Sequence, residues 1–279
     1  MARREREREG LPSSYRMRAE SHYVDHLTGH RPDRPAASVP ADPPARPVRA
    51  AEGAADVRPP APDERHERLL SELTEGLNTI TAAATLLSTD QSPMARRVNV
   101  DLIRAEAWRA AWMLRADSLL SGAHRGRLQP RDLGALFAQM RDGFAPECRL
   151  NGLTLHLRVP AWGTVVPVDE TALVAGVSGA VVWTLSLVGR VDGAVITVVA
   201  GVTGGHLETI EVSQDVAATT TTGRPSPGGT GHPGGDEFAA ALGASVAKAA
   251  AELHHGDAAF LVGDGRRSTV RFTFKRSAA

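Results

Sequence analysis

Two side chains in this sequence place a nucleophile beside an acid, because His66 and Ser71 are each followed directly by a glutamate. A neutral imidazole nitrogen is nucleophilic near pH 7 and can accept a phosphoryl group. An unactivated serine hydroxyl is a poor nucleophile, although Glu72 could serve Ser71 as a base. These residue types therefore indicate phosphoryl transfer, through His66 or, far less readily, through Ser71.

The residues around Ser71 have the periodicity of a long helix that begins near Asp63, a plausible N-cap. Turn residues at 88–93 end this helix, and a second helix is predicted at about 94–120, its apolar side widened by two tryptophans. Apolar residues of the first helix recur at steps of three and four: Leu69, Leu73, Leu77, Ile80, Ala84 and Leu87. One side of the second helix carries Val100, Ile103, Ala107, Ala110 and Leu114.

Two long helices joined by a short turn pack antiparallel as a hairpin. A lone hairpin would leave much of this apolar surface in water, whereas two hairpins paired as a four-helix bundle would cover it. We therefore expect residues 63–124 to form a hairpin through which the chain makes a homodimer.

The remaining residues, 125–279, mix helical and strand patterns. A short helix is predicted at 131–146, an apolar helix at 169–187 and a third helix at 236–254. Strands are predicted at 153–159, 194–202, 206–214, 258–263 and 268–274. Hairpin signals lie between the second and third strands and between the fourth and fifth strands. The fold class is α+β, with a layer of helices on one mixed sheet.

Residues 1–62 are rich in proline and mixed charge, so we expect a disordered tail. Within it, residues 13–30 contain two tyrosines and several aliphatic side chains, which suits either a chance cluster or a recognition segment that folds on a partner. Three histidines in that segment recur at every fourth position, but no scaffold fixes them for metal binding: His22, His26 and His30.

Bulk composition excludes several classes of function. Lys+Arg and Asp+Glu both number 32, so net charge predicts neither a nucleic-acid nor a membrane-surface partner. The single cysteine, Cys148, excludes an internal disulfide framework and a multi-cysteine metal site. No apolar run approaches the roughly 20 residues that span a bilayer, and the charged start of the chain is not followed by a signal-peptide apolar region. A cytoplasmic protein is the expectation.

The order of elements and four local motifs resemble the core of bacterial sensor histidine kinases. In that family a phosphoacceptor box reads H-E-L-x-x-P-L-x-x-I, and residues 71–80 match it with Ser71 in place of histidine and Gly76 in place of proline. Residues 103–120 are similar to its second-helix pattern, 241–256 to its G-L-G-L-A and H-G-G motifs, and 265–274 to its last strand. The resemblance implies a dimerisation and phosphotransfer hairpin followed by a GHKL-type α/β sandwich.

The resemblance also locates a nucleotide site, and this sequence departs from it. The helix at 169–187 has no asparagine, and Trp183 lies near the place of the Asn that holds magnesium and phosphate. Gln214 or Asp215 occupies the place of the Asp that binds adenine, without the glycines that usually follow it. Gly243 remains from the G-L-G-L motif. The loop at 224–237 has glycines but no lysine, and its prolines remove backbone donors.

These departures predict a closed or empty nucleotide pocket, no cofactor and no metal. We therefore expect a pseudo-histidine kinase that docks on a response-regulator receiver domain or on a histidine kinase. The predicted docking residues on the first helix are Ser71, Glu72, Thr74, Glu75 and Asn78.

Two alternatives stay open. A histidine phosphotransferase would relay phosphate through His66, although this register places polar residues where the family's box is apolar. An anti-sigma-factor-like binding protein would share the GHKL fold but leaves the long hairpin unexplained.

Near the end of the chain, His254 and His255 occupy the H-G-G turn. We expect them to shape the end of the preceding helix, where a positive charge would be favourable.

Overall fold

The computed structural model of the chain describes residues 61–89, 92–159, 163–188, 194–215, 233–262 and 267–275. The predicted tail before residue 61, with the segment 13–30 and its histidines, lies outside the described residues, as does most of the glycine-rich loop. No helix in the described ranges is both long and apolar enough to cross a membrane.

The chain begins with the predicted helical hairpin. Helix α1 spans Pro62–Leu87 and helix α2 spans Pro93–Leu120, and the two pack against each other. The predicted cap at Asp63 is wrong, because α1 starts one residue earlier and has no side-chain cap. Proline suits the first helical position, and Asp63 then lies in the first turn, where the helix dipole favours an acid. Ser92 caps α2 by accepting the Ala95 N–H at 3.2 Å.

Helices and strands then alternate. The first part comprises β1 (Gln129–Asp132), α3 (Leu133–Leu150), β2 (Thr154–Arg158), β3 (Val165–Val168) and α4 (Glu170–Val188). The second part comprises β4 (Val195–Thr203), β5 (His206–Asp215), α5 (Pro233–Leu253), β6 (Gly256–Val262) and β7 (Arg267–Phe274). A five-stranded sheet has the order β2-β4-β5-β7-β6, parallel between β2 and β4 and antiparallel elsewhere, and β1 pairs with β3 separately.

Helix α3 is longer than its sequence suggested. The prediction ended it near Pro146, which cannot donate the helical backbone hydrogen bond. The structure continues the helix for another turn because Cys148 is buried beyond the proline on the same stripe as Phe137 and Phe144, and Leu150 is buried in a separate cluster with Leu102 and Ala105 of α2. Apolar burial therefore outweighs the missing hydrogen bond at this point.

The core of the C-terminal part lies between one face of the large sheet and helices α3, α4 and α5. Alternate residues of β4, β5 and β7 point into it, as the two-residue period of a strand requires. They are Ile196, Val198, Ile210, Val212, Val270 and Phe272. The predicted α+β fold with helices layered on a mixed sheet is confirmed.

Candidate functional site

Ser71 is exposed to solvent in the third turn of α1. Thr74, Glu75 and Asn78 are exposed as well, while Glu72 is partly buried. At about 100° per residue, positions 71, 74, 75 and 78 share one side of a helix. Four of the five predicted docking residues thus form one accessible surface, and Glu72 lies at its edge.

His66 is also exposed, but it is not part of that surface. Five residues separate it from Ser71, so their side chains leave the helix about 140° apart. A partner that meets Ser71 face-on would meet His66 only from a different direction. The role of His66 as a phosphoacceptor stays a prediction.

Gly76, which takes the place of proline in the box, lets α2 approach α1. A side-chain carbon at this position would lie 3.3 Å from Oε2 of Glu106, whose carboxyl group is buried between the helices. Burial raises the pKa of Glu106, and Arg109, 3.9 Å away, opposes this effect. Nearby carboxylates raise it further: Glu147, Glu75 and Glu72. Two of the predicted docking residues, Glu72 and Glu75, are therefore close enough to a buried acid of α2 to raise its pKa.

The face of α1 that packs inside one chain differs from the predicted seam. Leu69 is buried, but against the C-terminal domain together with Phe238, and Arg68 lies over the Phe238 ring at 5.4 Å. Helix α1 buries Gly76, Thr79 and Ala83 along its length. The remaining apolar residues form a second stripe with heptad spacing that starts one residue later: Leu70, Leu73, Leu77, Ile80, Ala84 and Leu87.

The hairpin lies against the helical layer of the C-terminal domain. Helix α2 packs on α3, α4 and α5, and the Trp112 indole N–H donates to the Ala175 carbonyl at 3.1 Å. On α3, Arg149 donates two hydrogen bonds to Asp101, at 2.9 and 2.6 Å. The apolar contact joins five hairpin residues to the outer face of α4 and α5: Leu69, Trp112, Met113, Ala116 and Leu119. This interface was not predicted from the sequence.

Trp183 lies in the core, on the strand side of α4. It is buried and meets the edge of the Phe260 ring, with ring centroids 5.0 Å apart. An indole in this place fills space and has no oxygen with which to ligate a metal. The side chain that the motif comparison placed at the asparagine position is therefore part of the apolar packing.

Gly243 is the point at which α5 crosses α4. A side-chain carbon on Gly243 would lie 2.5 Å from the carbonyl oxygen of Gly179, and one on Gly179 would lie 2.7 Å from the Gly243 carbonyl. The two backbones are thus in direct contact, which only glycine permits. The structure gives Gly243 a packing role that the motif did not indicate.

Gln214, rather than its neighbour, is the polar residue that β5 turns toward the helices. Its side chain is fully buried, and neither amide atom has a hydrogen-bond partner among the described residues. Asp215 pairs through its backbone with Val195 and Arg267 at the end of β5. A buried side-chain amide without hydrogen-bond partners destabilises a fold. Packing therefore does not explain why a glutamine occupies position 214.

The contact at Gly243 makes a quantitative prediction. Gly243→Ala should destabilise the protein by about 2 kcal/mol, because the nearest atoms belong to a backbone that can yield only if the helices separate. Gly76→Ala is the matched control, since its nearest neighbour is the movable end of Glu106 and alanine favours the helix. Chemical unfolding checks both. A Gly243→Ala protein as stable as the control would contradict the crossing.

A set of residues that the sequence analysis did not connect joins the hairpin to the C-terminal domain. His124, just after α2, contacts Asp169 at the start of α4, and Asp169 contacts His254 at the end of α5. Contrary to the favourable positive charge expected at the helix end, burial lowers the pKa of His254 and favours its neutral form. These residues are distant in sequence, so only the fold could bring them together.

No protein-family model and no curated protein matches the sequence. Solved structures with a similar fold include the cytoplasmic segment of histidine kinase QseC, 12% identical with a TM-score of 0.41, over 61% of this chain and 94% of that one. Acinetobacter baumannii histidine kinase AdeS is 11% identical, with a TM-score of 0.39, over 75% of this chain and 95% of its own. A bacterial phosphotransferase is 11% identical, with a TM-score of 0.43, over 74% of this chain and 92% of its own. A hairpin followed by helices on a mixed sheet is the arrangement that the motifs predicted.

Proposed function

We propose that this chain is a non-catalytic, histidine-kinase-like signalling protein of the cytoplasm that regulates a two-component or related pathway by docking on another protein. One observation carries the proposal. The framework around the phosphoacceptor position is present on α1, but the position itself is an exposed serine, Ser71. Serine has the hydroxyl without the imidazole that phosphotransfer to histidine requires.

The C-terminal domain supports the same proposal through its packing. By the motif comparison, Trp183 lies at or near the place of the magnesium-binding asparagine, and its side chain packs against Phe260. An indole offers no ligand for a metal. The backbones of α4 and α5 touch at Gly179 and Gly243, which gives Gly243 a packing role. The domain would then serve to position the hairpin, which it holds through the apolar contact around Trp112.

A homodimer is part of the proposal, because α1 and α2 each carry apolar residues that the described part of the chain leaves largely exposed. Leu70, Leu77 and Leu114 are 52%, 58% and 60% exposed. On α1 this stripe lies about 100° around the helix from the side that faces α2, as a helix with two neighbours in a bundle requires. Two hairpins that share these stripes make a four-helix bundle.

The partner that we propose for the surface of Ser71, Thr74, Glu75 and Asn78 is a receiver domain of a response regulator or the phosphoacceptor region of a histidine kinase. Exposed short polar side chains follow α1 from its third turn to its C-cap at alternating steps of three and four: Ser71, Thr74, Asn78, Thr81, Thr85 and the C-cap Ser88. Such side chains leave the backbone approachable along one side of the helix, beside the dimer stripe. A pull-down with the full chain and with residues 63–279 would identify the partner.

The absence of nucleotide chemistry is tested by calorimetry. Titration of the full chain with Mg-ATP up to millimolar concentration should produce no binding isotherm, and the unfolding temperature should not rise with the nucleotide. A ligand at one hundred times its dissociation constant would stabilise the fold by about 2.7 kcal/mol, which a thermal melt detects readily. A micromolar isotherm would overturn the pseudoenzyme proposal.

A further inference from the structure

The linker between α2 and β1, residues 121–128, is bonded to Asp169 at the start of α4. The His124 ring contacts Asp169 Oδ1 through Nε2 at 2.9 Å, and the Arg127 backbone N–H donates to Oδ2 at 2.7 Å. Asp169 Oδ1 also accepts the Ala172 N–H at 2.9 Å, which caps α4. Burial alone would raise the pKa of Asp169, but these donors together lower it. The carboxylate therefore stays ionised across the pH range in which histidines titrate.

Asp169 is tied in turn to the end of α5 through His254. The Asp169 backbone N–H donates to Nε2 of His254 at 2.9 Å, and His254 Nδ1 lies 2.7 Å from the Ala250 carbonyl. A nitrogen that accepts a hydrogen bond carries no proton, so the ring is neutral, with its proton on Nδ1. The ring is 6% exposed and lies against Phe274 of β7.

We propose that His254, Asp169 and His124 form a proton-responsive joint between the hairpin and the C-terminal domain. Neutral His254 holds the start of α4, and with it the linker, on the end of α5. A proton on Nε2 would place an N–H against the Asp169 N–H, two donors facing each other, so that protonation breaks this bond. His124 behaves differently, since Nε2 can donate to Asp169 whether the ring is neutral or charged. In mild acid the linker therefore stays with Asp169 while Asp169 leaves α5.

The groups around His254 determine whether its hydrogen bond to Asp169 is lost at low or at high pH. Burial lowers its pKa and His255, the next residue, lowers it further, whereas the Ala250 carbonyl and Asp169 act in the other direction. Asp169 and His255 are the titratable groups that act on the ring in the described part of the chain, and β7 faces it with an uncharged phenyl ring. Because folding lowers the pKa of His254, neutral His254 stabilises the fold at pH values above 6.5, its ordinary pKa. This stabilisation is lost as the pH falls through the pKa that His254 has in the folded protein.

The joint lies where the hairpin leaves the domain. Gly126 of the linker sits so close to Leu253, in the last turn of α5, that a side-chain carbon would lie 2.4 Å from it. Release of Asp169 from His254 therefore loosens the linker from α5 at the point that fixes the direction of α2, while its bonds to Asp169 at the start of α4 remain. Mild acidification is the kind of signal that this arrangement would convert into a change in the position of the hairpin.

The test is hydrogen exchange on the full chain between pH 7.5 and 5.0, resolved to single amides and expressed as protection factors. In the wild type, protection of the Asp169 amide should fall about tenfold for each pH unit below the pKa of His254, the slope of a one-proton release. Protection of the Arg127 amide should stay nearly constant. In His254→Gln, a side-chain oxygen can accept the Asp169 N–H without titrating, so protection should not depend on pH.

Constant protection of Asp169 in the wild type would overturn the proposal, and so would an equal fall in His254→Gln. Because this variant could fold poorly, nitrogen-15 spectra of wild-type histidines supply a second readout. They should show the His254 ring neutral at pH 7 with its proton on Nδ1, and a charged ring or the other tautomer would contradict the joint.

Discussion

Leu77→Asp should convert the proposed dimer into a monomer. Leu77 is 58% exposed in the single chain, and it lies in the middle of the uncovered stripe of α1. Burying a leucine stabilises an interface by about 2 kcal/mol, and a symmetric dimer loses two of them, so dimerisation should weaken by roughly a thousandfold before the burial of the new charges is added. Light scattering at tens of micromolar should give twice 29.5 kDa for the wild type and 29.5 kDa for the variant.

Asn78→Asp is the matched control, because it adds the same carboxylate one residue further along, on the exposed polar side of α1. This protein should remain a dimer. Circular dichroism of both variants should show that the hairpin stays helical, so that loss of the dimer is not loss of the fold. A wild-type chain that is monomeric at tens of micromolar would reject the four-helix bundle.

The fold could be predicted from the sequence where periodicity is strong. The steps of three and four in α1 and α2 and the alternation in β4, β5 and β7 located these elements correctly. The α1 seam divides in the structure, because Leu69 is buried in a cluster that includes Phe238, a residue far from it in the sequence. Helix α3 passes Pro146 for a similar reason, since tertiary burial of Cys148 and Leu150 overrides the local preference.

The candidate site could be predicted only in part. A motif assigns a residue type to a position, and it drew attention to Ser71 and Trp183, whose functional roles stay predictions. It could not show that Gly243 touches Gly179, or that His124, Asp169 and His254 meet, since these contacts depend on how helices cross. Contacts of this kind are fixed by packing between elements and leave no local signature in the chain.

Ser71→His should convert the hairpin from a docking surface into a phosphate acceptor. The new imidazole would be exposed on α1, within the frame of Leu73, Leu77 and Ile80. Autophosphorylation should not appear, because Trp183 and the contact between α4 and α5 are unchanged. Transfer of a phosphoryl group from a phosphorylated receiver to the new imidazole should occur, because the receiver supplies its own magnesium site and the step needs no nucleotide. The P–O bond of the aspartyl phosphate breaks, and a P–N bond to the imidazole forms.

The measurement is transfer of radiolabelled phosphate from a receiver that copurifies with the full chain to the wild type, Ser71→His and His66→Ala. Label on Ser71→His alone would support a docking face that has kept its geometry and lost its nucleophile. Label on the wild type that disappears in His66→Ala would identify the protein as a phosphotransferase that works through His66. Label on none of the three, with the receiver still bound, would mean that the partner meets α1 away from residue 71. The 140° between His66 and Ser71 makes these outcomes exclusive, because a receiver aspartate aligned with one side chain cannot reach the other without turning around the helix.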